Sequence, residues 1–282
     1  MDIFLNGEFV SEEQAAVSVF DRGFMYGDGV FETIPVHQGT PFLLDRHLGR
    51  LAHGLGSLGI PERYDFGELL TAVSQLIQRN NLKFGVIRIQ VSRGLGKRGY
   101  TTAGNNSPTV VISLHEAPPS HTPQAGIHLI IASQVLSDHD PFATLKTTNK
   151  LVNIAAMREA EKLNVHDALL MNAGGYVTET TSGNVFSEVN GTVVTPPLNC
   201  GCLAGITRGY LLELARELQI PVIQENLTPQ QLAQSEGVFV TNSVRGIQNV
   251  ESIDGNKLAQ SKLGERLSAL YAEHITNATS NP

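Results

Sequence analysis

The stretch Thr144–Lys150, which reads TLKTTNK, and the stretch Tyr176–Glu179, which reads YVTE, decide the interpretation of this chain. A lysine amine attacks a carbonyl only when it is neutral, and because its ordinary pKa is about 10.4, it needs desolvation or a neighbouring cation. A helix predicted to begin at Lys146 places a second cation, Lys150, one helical turn away. Lys146 is therefore a candidate Schiff-base lysine.

Glu179 provides the carboxylate that this chemistry needs on a later segment. A carboxylate opposite the nitrogen of a pyridoxal ring keeps that nitrogen protonated and the ring electron-withdrawing. Together, Lys146 and Glu179 indicate pyridoxal 5'-phosphate (PLP) as the cofactor. A single lysine is more often an ordinary solvated residue, so this interpretation depends on the sequence blocks around it.

Further blocks of sequence follow the order and spacing of one known family. They are Phe20–Gly23 (FDRG), Tyr26–Thr33 (YGDGVFET), Leu44–Leu51 (LDRHLGRL), Ser92–Gly94 (SRG), Val177–Glu179 (VTE), Ser182–Phe186 (SGNVF), Gly205–Arg208 (GITR) and Thr241–Ser243 (TNS). With these blocks, the chain from about Phe4 to about Asp254 resembles the fold-type IV PLP enzymes, the class IV aminotransferase family. The resemblance implies an α+β fold of two domains, like that of the D-amino-acid aminotransferases, with PLP in the interdomain cleft.

The composition favours small-molecule chemistry. The 282 residues suffice for two domains of ordinary size, and 20 basic against 27 acidic residues give a formal net charge of -7. This charge argues against a nucleic-acid surface or a polybasic membrane anchor. Because the sequence shows no charged-then-apolar leader and no apolar run of spanning length, it predicts a cytoplasmic protein. Cys200 and Cys202 are poorly spaced for a disulfide and lack a histidine cluster for zinc, so no metal site is predicted.

The Pro-rich stretch 117–126 predicts the domain boundary, because it is polar and breaks helices. The predicted organisation is a smaller N-terminal domain at 1–118, a linker at 119–126 and a larger PLP-binding domain at 127–282. Apolar periodicity predicts helices and strands in both domains. The predicted helices are Leu44–Leu58, Phe66–Arg79, Lys146–Leu163 and 206–218, and the predicted strands are Ile3–Val10, Gly85–Val91, Ile127–Gln134, Ala168–Met171, Tyr176–Glu179, Asn184–Glu188, Thr192–Thr195 and Gly237–Thr241.

A phosphate site is predicted at Gly205, Ile206 and Thr207, where a helix begins. A helix N-terminus offers free N–H groups and the positive end of the helix dipole, and the Thr207 hydroxyl adds a donor. From the residues alone, a turn at Gly205 and a helix cap at Thr207 are about as well supported. The family resemblance assigns the cofactor phosphate to this segment together with Arg50, Asn242 and Ser243.

Three activities occur in this family: branched-chain amino-acid transamination, D-amino-acid transamination, and the 4-amino-4-deoxychorismate lyase reaction, which forms p-aminobenzoate and pyruvate. After Phe31 and Glu32, the resemblance implies a glycine in the first class, an aliphatic residue in the second and a threonine in the lyases, and this chain has Thr33. A hydroxyl there suits the lyase, because the departing enolpyruvyl group must gain a proton. Threonine is also a common strand residue that simply packs.

The candidate substrate residues come from the same resemblance. Lyase-like patterns surround Arg98, Tyr100 and Arg245, and Lys150 is basic, as in many lyases. Two arginines suit a substrate with two carboxylates, although Arg245 is almost equally well explained as a surface residue. Phe31 is also assigned to the substrate. The segment 147–153 is less lyase-like than the other blocks.

The predicted function is a PLP-dependent 4-amino-4-deoxychorismate lyase of folate biosynthesis, with Lys146 as the base and Thr33 or Lys146 as the proton donor. A class IV aminotransferase acting on D-amino acids or branched-chain amino acids is the alternative, and a non-catalytic PLP-binding homologue is a remote one. The expected partners are a small-molecule substrate and, from the resemblance, a second copy of the chain in a homodimer. No nucleic acid or membrane partner is expected.

Overall fold

The computed structural model describes residues 1–104, 107–117, 126–137 and 140–280. The chain divides into two compact units. Unit 1 comprises Met1–Pro118, Leu145–Asn149 and Asn277–Pro282, and unit 2 comprises Pro119–Thr144 and Lys150–Thr276. The predicted linker at 119–126 lies outside the described residues except for Gly126.

Unit 1 contains a sheet and the helices that cover it. Its elements are β1 (Asp2–Leu5), β2 (Glu8–Ser11), α1 (Arg22–Tyr26), β3 (Gly29–His37), β4 (Thr40–Pro41), α2 (Leu44–Leu58), α3 (Phe66–Arg79), β5 (Phe84–Ser92) and β6 (Thr109–His115). Within the described residues the sheet has six strands in the order β2-β1-β6-β5-β3-β4, and neighbouring strands are antiparallel.

The two faces of β3 have different environments, because successive side chains of a strand point to opposite faces. Val30, Ile34 and Val36 belong to the hydrophobic core that this unit forms with α2 and α3. Phe31 and Thr33 therefore lie on the opposite face of the sheet. The alternation of side chains along β3 therefore decides which of them are available for chemistry and which support the fold.

The first predicted strand, Ile3–Val10, is wrong in one respect: it is a hairpin of β1 and β2. Asn6 and Gly7 both have positive φ, 55° and 104°. Asn-Gly tolerates the left-handed backbone that a tight two-residue hairpin turn requires. The apolar alternation continues through the turn, which is why it resembled one longer strand.

Unit 2 is built on a larger sheet. Its elements are β7 (Ile127–Leu136), α4 (Leu151–Lys162), β8 (Asp167–Asn172), β9 (Val177–Thr180), β10 (Asn184–Val189), β11 (Thr192–Thr195), α5 (Ile206–Glu217), β12 (Val222–Gln224), α6 (Pro229–Ala233), β13 (Gly237–Asn242), β14 (Gly246–Ile253), β15 (Asn256–Lys257) and α7 (Lys262–Ser280), whose last residues belong to unit 1. The strand order is β12-β11-β10-β13-β14-β7-β8-β9, with β15 on β14.

A ring of strands closes in unit 2. The last strand of the order, β9, also pairs with β10 through Glu179 and Asn184. The strands β10, β13, β14, β7, β8 and β9 thus form a closed path of hydrogen-bonded neighbours. Glu179 lies at the junction that closes this path.

The helix predicted at Lys146–Leu163 begins later, at Leu151, and ends at Lys162. The residues before it pair with β3: Thr147 bridges to Val30, and the Phe31 N–H donates to the Lys146 carbonyl at 2.9 Å. The β-branched pair Thr147 and Thr148 favours extended backbone. Lys150 is therefore not one helical turn from Lys146, and the prediction that a helix joins these two residues is wrong.

No helix among the described residues is long and apolar enough to cross a membrane.

Candidate active site

Lys146 is held by the main chain of unit 1 rather than by a helix. Its side chain is half-buried, and its Nζ lies 4.7 Å from the centroid of the Phe31 ring. The extended backbone at this point places the amine on the same face of the sheet as Phe31 and, two residues further along β3, Thr33. A base and a hydroxyl therefore share one face of the sheet.

A buried charged cluster lies on the core face of β3. Arg50 on α2 donates to Glu32 through Nε and Nη2, each at 2.7 Å, and His47 Nδ1 lies 2.6 Å from Glu32 Oε2. The side chains of Glu32 and His47 are 1% exposed and that of Arg50 is 9% exposed. Such a two-pronged contact fixes the plane and orientation of the guanidinium.

The protonation states of this cluster follow from opposing effects. Burial alone would raise the pKa of Glu32, but hydrogen bonds and charge from Arg50 and His47 hold it below the ordinary value. Burial lowers the pKa of His47, against the pull of Glu32, and the positive charges of Arg50 and Lys146 lower it further. We therefore assign an ionised Glu32 that accepts a hydrogen bond from the Nδ1–H of a neutral His47.

Arg88 is a cation that the sequence analysis did not single out. It pairs directly with Thr33 across β3 and β5, and its guanidinium carbon lies 4.0 Å from the centroid of the Phe31 ring. Burial lowers its pKa, and its Nη2 donates to Gln90 Oε1 at 2.9 Å. The sequence contains the pattern that predicts this placement. Side chains alternate along β5, so Arg88 points to one face of the sheet and its neighbours Ile87 and Ile89 point to the other.

The other predicted substrate residues of unit 1 are on the surface. Arg98 is exposed and Tyr100 is 87% exposed, with its ring 5.7 Å from that of Tyr26. The segment is anchored by Gly99, whose carbonyl accepts from Arg22 at 2.9 Å and whose N–H donates to Tyr26 at 2.9 Å.

In unit 2, Glu179 lies half-buried on β9. Its Oε2 accepts the Leu203 N–H at 2.9 Å, and the Leu203 carbonyl accepts from Asn184 at 2.9 Å. A Cβ on Gly205 would overlap the Asn184 side chain, so glycine is required for this close approach. The carboxylate and the start of α5 are thus tied to the same short loop.

The start of α5 has the character of an anion site. Gly205 is its N-cap and offers no side-chain cap, so the first N–H groups of the helix lack that common partner. The buried Thr207 hydroxyl lies 3.4 Å from the Ser243 hydroxyl, which comes from the turn between β13 and β14. Uncapped amides beside two hydroxyls suit a phosphate. We call Gly205, Ile206, Thr207 and Ser243 the phosphate cup.

Asn242 supports this turn. Its Oδ1 accepts the N–H groups of Val244 and Arg245 at 3.0 and 2.7 Å. The side chain predicted to bind the cofactor is thus engaged in holding Ser243 in place, and Arg245 itself is exposed.

A model of the class IV aminotransferases matches residues 29–253. The chain belongs to this family. The match confirms the predicted family and fold class, and because the family depends on PLP, it confirms the predicted cofactor. The protein is therefore a class IV PLP enzyme.

Relatives with each of the three activities match nearly the whole chain. The "putative branched-chain-amino-acid aminotransferase" of Methanocaldococcus jannaschii is 36% identical over 266 residues, which cover 94% of this chain and 92% of that protein. The aminodeoxychorismate lyase of Bacillus subtilis is 30% identical over 284 residues, covering 98% and 95%. The D-alanine aminotransferase of Staphylococcus epidermidis is 30% identical over 264 residues, covering 93% and 92%.

Similar solved structures include both lyases and branched-chain aminotransferases. The 4-amino-4-deoxychorismate lyase of Pseudomonas aeruginosa is 31% identical with a TM-score of 0.88, and the match covers 97% of this chain and 99% of that one. The branched-chain aminotransferase of Thermoproteus uzoniensis is 26% identical with a TM-score of 0.93, covering 99% and 95%. Overall similarity thus does not choose between the reactions.

Proposed function

We propose that this protein is a 4-amino-4-deoxychorismate lyase, which converts its substrate into p-aminobenzoate and pyruvate. One observation carries the proposal: the Thr33 hydroxyl belongs to the face of β3 that also carries Phe31, over whose ring the Lys146 amine lies. A lyase needs a proton donor beside its base, because the departing enolpyruvyl group becomes pyruvate only after protonation of its methylene carbon. A transaminase has no such requirement.

When bound, PLP supplies an electron sink for the carbon next to the substrate nitrogen. Lys146 Nζ would hold the cofactor through its carbonyl carbon, and the same amine would take the proton from ring carbon C4 of the substrate. Thr33 Oγ1 would deliver a proton to the enolpyruvyl methylene as the carbon–oxygen bond breaks, and the proton that Lys146 took from C4 would restore the Thr33 hydroxyl. The substrate is an isomer of the two products together, so no oxidant or second substrate is needed.

The remaining predicted residues hold the cofactor in this proposal. Glu179 keeps the proton on the pyridine nitrogen, which the cofactor needs to withdraw electrons. The phosphate cup and Arg50 bind the phosphate dianion. Glu32 and His47 orient Arg50, and this use of the buried cluster explains why α2 places two polar residues against the sheet.

The substrate carries two carboxylates, and arginine is the side chain best suited to them. Arg88 joins Arg98 and Arg245 as a candidate, since it is the arginine directly opposite Thr33. We also propose a cytoplasmic homodimer. Phe20, Phe24 and Tyr100 are 65%, 75% and 87% exposed in the single chain, and aromatic side chains are enriched in protein–protein interfaces.

The test is to incubate the purified protein with 4-amino-4-deoxychorismate while following p-aminobenzoate and pyruvate. Thr33→Val keeps the shape of the side chain and removes only the hydroxyl, so we expect p-aminobenzoate formation to fall by about 10²-fold while the absorbance of the bound cofactor is unchanged. Thr40→Val, in the short edge strand β4, is the matched control and should retain full activity.

An aminotransferase is the second candidate, because the archaeal relative named for that activity shares the highest of the identities given above, 36%. Rapid amino transfer from D-alanine or L-leucine to 2-oxoglutarate, with no p-aminobenzoate from 4-amino-4-deoxychorismate, would replace the lyase proposal by this one. Unimpaired lyase activity in Thr33→Val would instead leave the reaction in place and move the proton delivery to Lys146.

A further inference from the structure

Tyr271 is a buried tyrosine on α7, outside the predicted cofactor residues. It continues a stripe of buried side chains at helical spacing, Leu263, Leu267 and Tyr271, through which α7 packs on unit 2. The tyrosine is 4% exposed. A buried phenol needs a partner for its hydroxyl, and the identity of that partner gives this residue a role.

The Tyr271 side chain meets Thr207 of the phosphate cup and Gly246, the residue that follows the turn carrying Ser243. Its hydroxyl forms a hydrogen bond with Thr207, in the first turn of α5. The edge of its ring lies against Gly246, where an added Cβ would come within 3.4 Å of Cε1. Gly246 follows the turn that carries Ser243 and has a φ of 68°, so this turn also favours glycine for its backbone.

We propose that Tyr271 is a positioning residue for the cofactor phosphate: its hydroxyl orients the Thr207 hydroxyl, and its ring supports the turn that presents Ser243. Thr207 can donate only one proton. With the Tyr271 hydroxyl as donor to Thr207 Oγ1, the Thr207 proton is directed to the bound phosphate. Ordering this proton before binding lowers the entropic cost of binding.

The charge state of the tyrosine is compatible with this direction of donation. Burial raises the pKa of Tyr271 to about 12, the neighbouring Tyr210 raises it as well, and only the hydrogen bond with Thr207 lowers it. The residue is therefore a neutral phenol at neutral pH and has a proton to donate. The inference depends on the predicted phosphate role of the cup, and the experiment must separate the two.

Tyr210 provides a matched control in the same aromatic pair. Its ring makes an edge contact with Tyr271 at a centroid distance of 6.1 Å. Its hydroxyl, however, lies 2.5 Å from His274 Nδ1. Tyr210→Phe and Tyr271→Phe therefore remove the same atom from neighbouring rings, but only the second removes a contact to Thr207.

The experiment measures two dissociation constants for each full-length variant, one for PLP and one for pyridoxal, which lacks the phosphate. The holoenzymes are stripped of cofactor, and each ligand is titrated by absorbance. For Tyr271→Phe we expect the PLP constant to rise about threefold to tenfold, the range for one hydrogen bond, with the pyridoxal constant unchanged. Tyr210→Phe should change neither. A misfolded fraction would affect both ligands equally, so the ratio of the two constants remains informative.

Thr207→Val and the double variant Thr207→Val/Tyr271→Phe complete a thermodynamic cycle. If Tyr271 acts through Thr207, the tyrosine substitution has no further effect on PLP affinity once the threonine hydroxyl is gone. A PLP effect for Thr207→Val but none for Tyr271→Phe overturns the inference and leaves the cup intact. No PLP effect for Thr207→Val overturns the cup itself, and equal losses for PLP and pyridoxal in Tyr271→Phe mean a structural role only.

Discussion

The two units each contain a candidate site carboxylate, and the two carboxylates differ in burial and in hydrogen-bond partners. In unit 1, Glu32 is 1% exposed and receives three hydrogen bonds from Arg50 and His47. In unit 2, Glu179 is half-buried on a strand and accepts a backbone N–H from a loop. The stability of the fold depends on a buried charge keeping its partners. A half-buried carboxylate can bind a ligand, and its substitution has less effect on stability. Stability and chemistry should therefore respond separately to the two glutamates.

The largest expected effect concerns Lys146. Lys146→Ala should lose the covalently held cofactor and essentially all turnover, since we propose that the amine both attaches the cofactor and moves the substrate proton, and positioned proton transfer alone is worth about 10²- to 10⁴-fold. Lys150→Ala, at the start of unit 2, should keep both. Borohydride reduction followed by peptide mapping identifies the lysine that carries the cofactor. An adduct on Lys150 would show that the cofactor is attached to unit 2 rather than to unit 1.

Glu32→Gln should destabilise the protein by about 3–5 kcal/mol, because it leaves the buried Arg50 without its carboxylate. Urea denaturation measures the loss. Asp2→Asn is the control: it removes the carboxylate of an exposed pair with Arg79, and such pairs contribute about 0–1 kcal/mol. Equal effects of the two substitutions would show that burial does not distinguish these ion pairs.

Glu179→Gln should bind PLP and unfold at nearly the wild-type urea concentration, yet turn over more slowly. A neutral amide cannot hold the pyridine proton, and a charge-assisted hydrogen bond of this kind is worth roughly 1.5–3 kcal/mol, or about one to two decades in rate. Steady-state kinetics and the denaturation midpoint are measured on the same sample. A stable variant with unimpaired turnover would assign the ring nitrogen to another group.

The smallest expected effect is a dependence of the protein's stability on pH. The pKa of His47 is lowered from 6.5, chiefly by burial, so the folded chain keeps this residue neutral while the unfolded chain protonates. Unfolding then takes up a proton as the pH falls below 6.5, and stability falls by at most about 1.4 kcal/mol per pH unit through this window. His47→Gln should therefore flatten the fall in the free energy of unfolding below pH 6.5, which urea denaturation at a series of pH values measures.

Local sequence patterns were sufficient to predict the bounds of several helices. The helix predicted at Leu44–Leu58 has those bounds in the structure, as does Phe66–Arg79, where Asp65 and Glu68 form a capping box. The start of α5 at Ile206 also agrees with its prediction. In these segments the apolar repeat and the flanking residues indicate the same ends, so a single sequence contains the necessary information.

Features that depend on distant residues were missed. Glu32 was recognised only as part of a family motif, yet its two partners lie 15 and 18 positions away on α2. His47 and Arg50 are three residues apart and thus share one face of a helix, but nothing local shows which strand that face meets. The strand β3 and the helix α7, with Tyr271, were not predicted at all. Family membership, fold class and cofactor are confirmed, whereas the individual site residues stay predictions.

The pairing of the Lys146 segment with β3 also limits how this lysine can move. With its carbonyl bonded to Phe31 and the next residue bridged to Val30, the Cα acts as a fixed pivot, and only the four side-chain torsions carry the amine from one position to another. Such rotations take far less than a microsecond, whereas typical turnover takes roughly milliseconds to a second. The two roles proposed for this lysine, holding the cofactor and moving the substrate proton, can therefore alternate within one catalytic cycle without any rearrangement of the main chain.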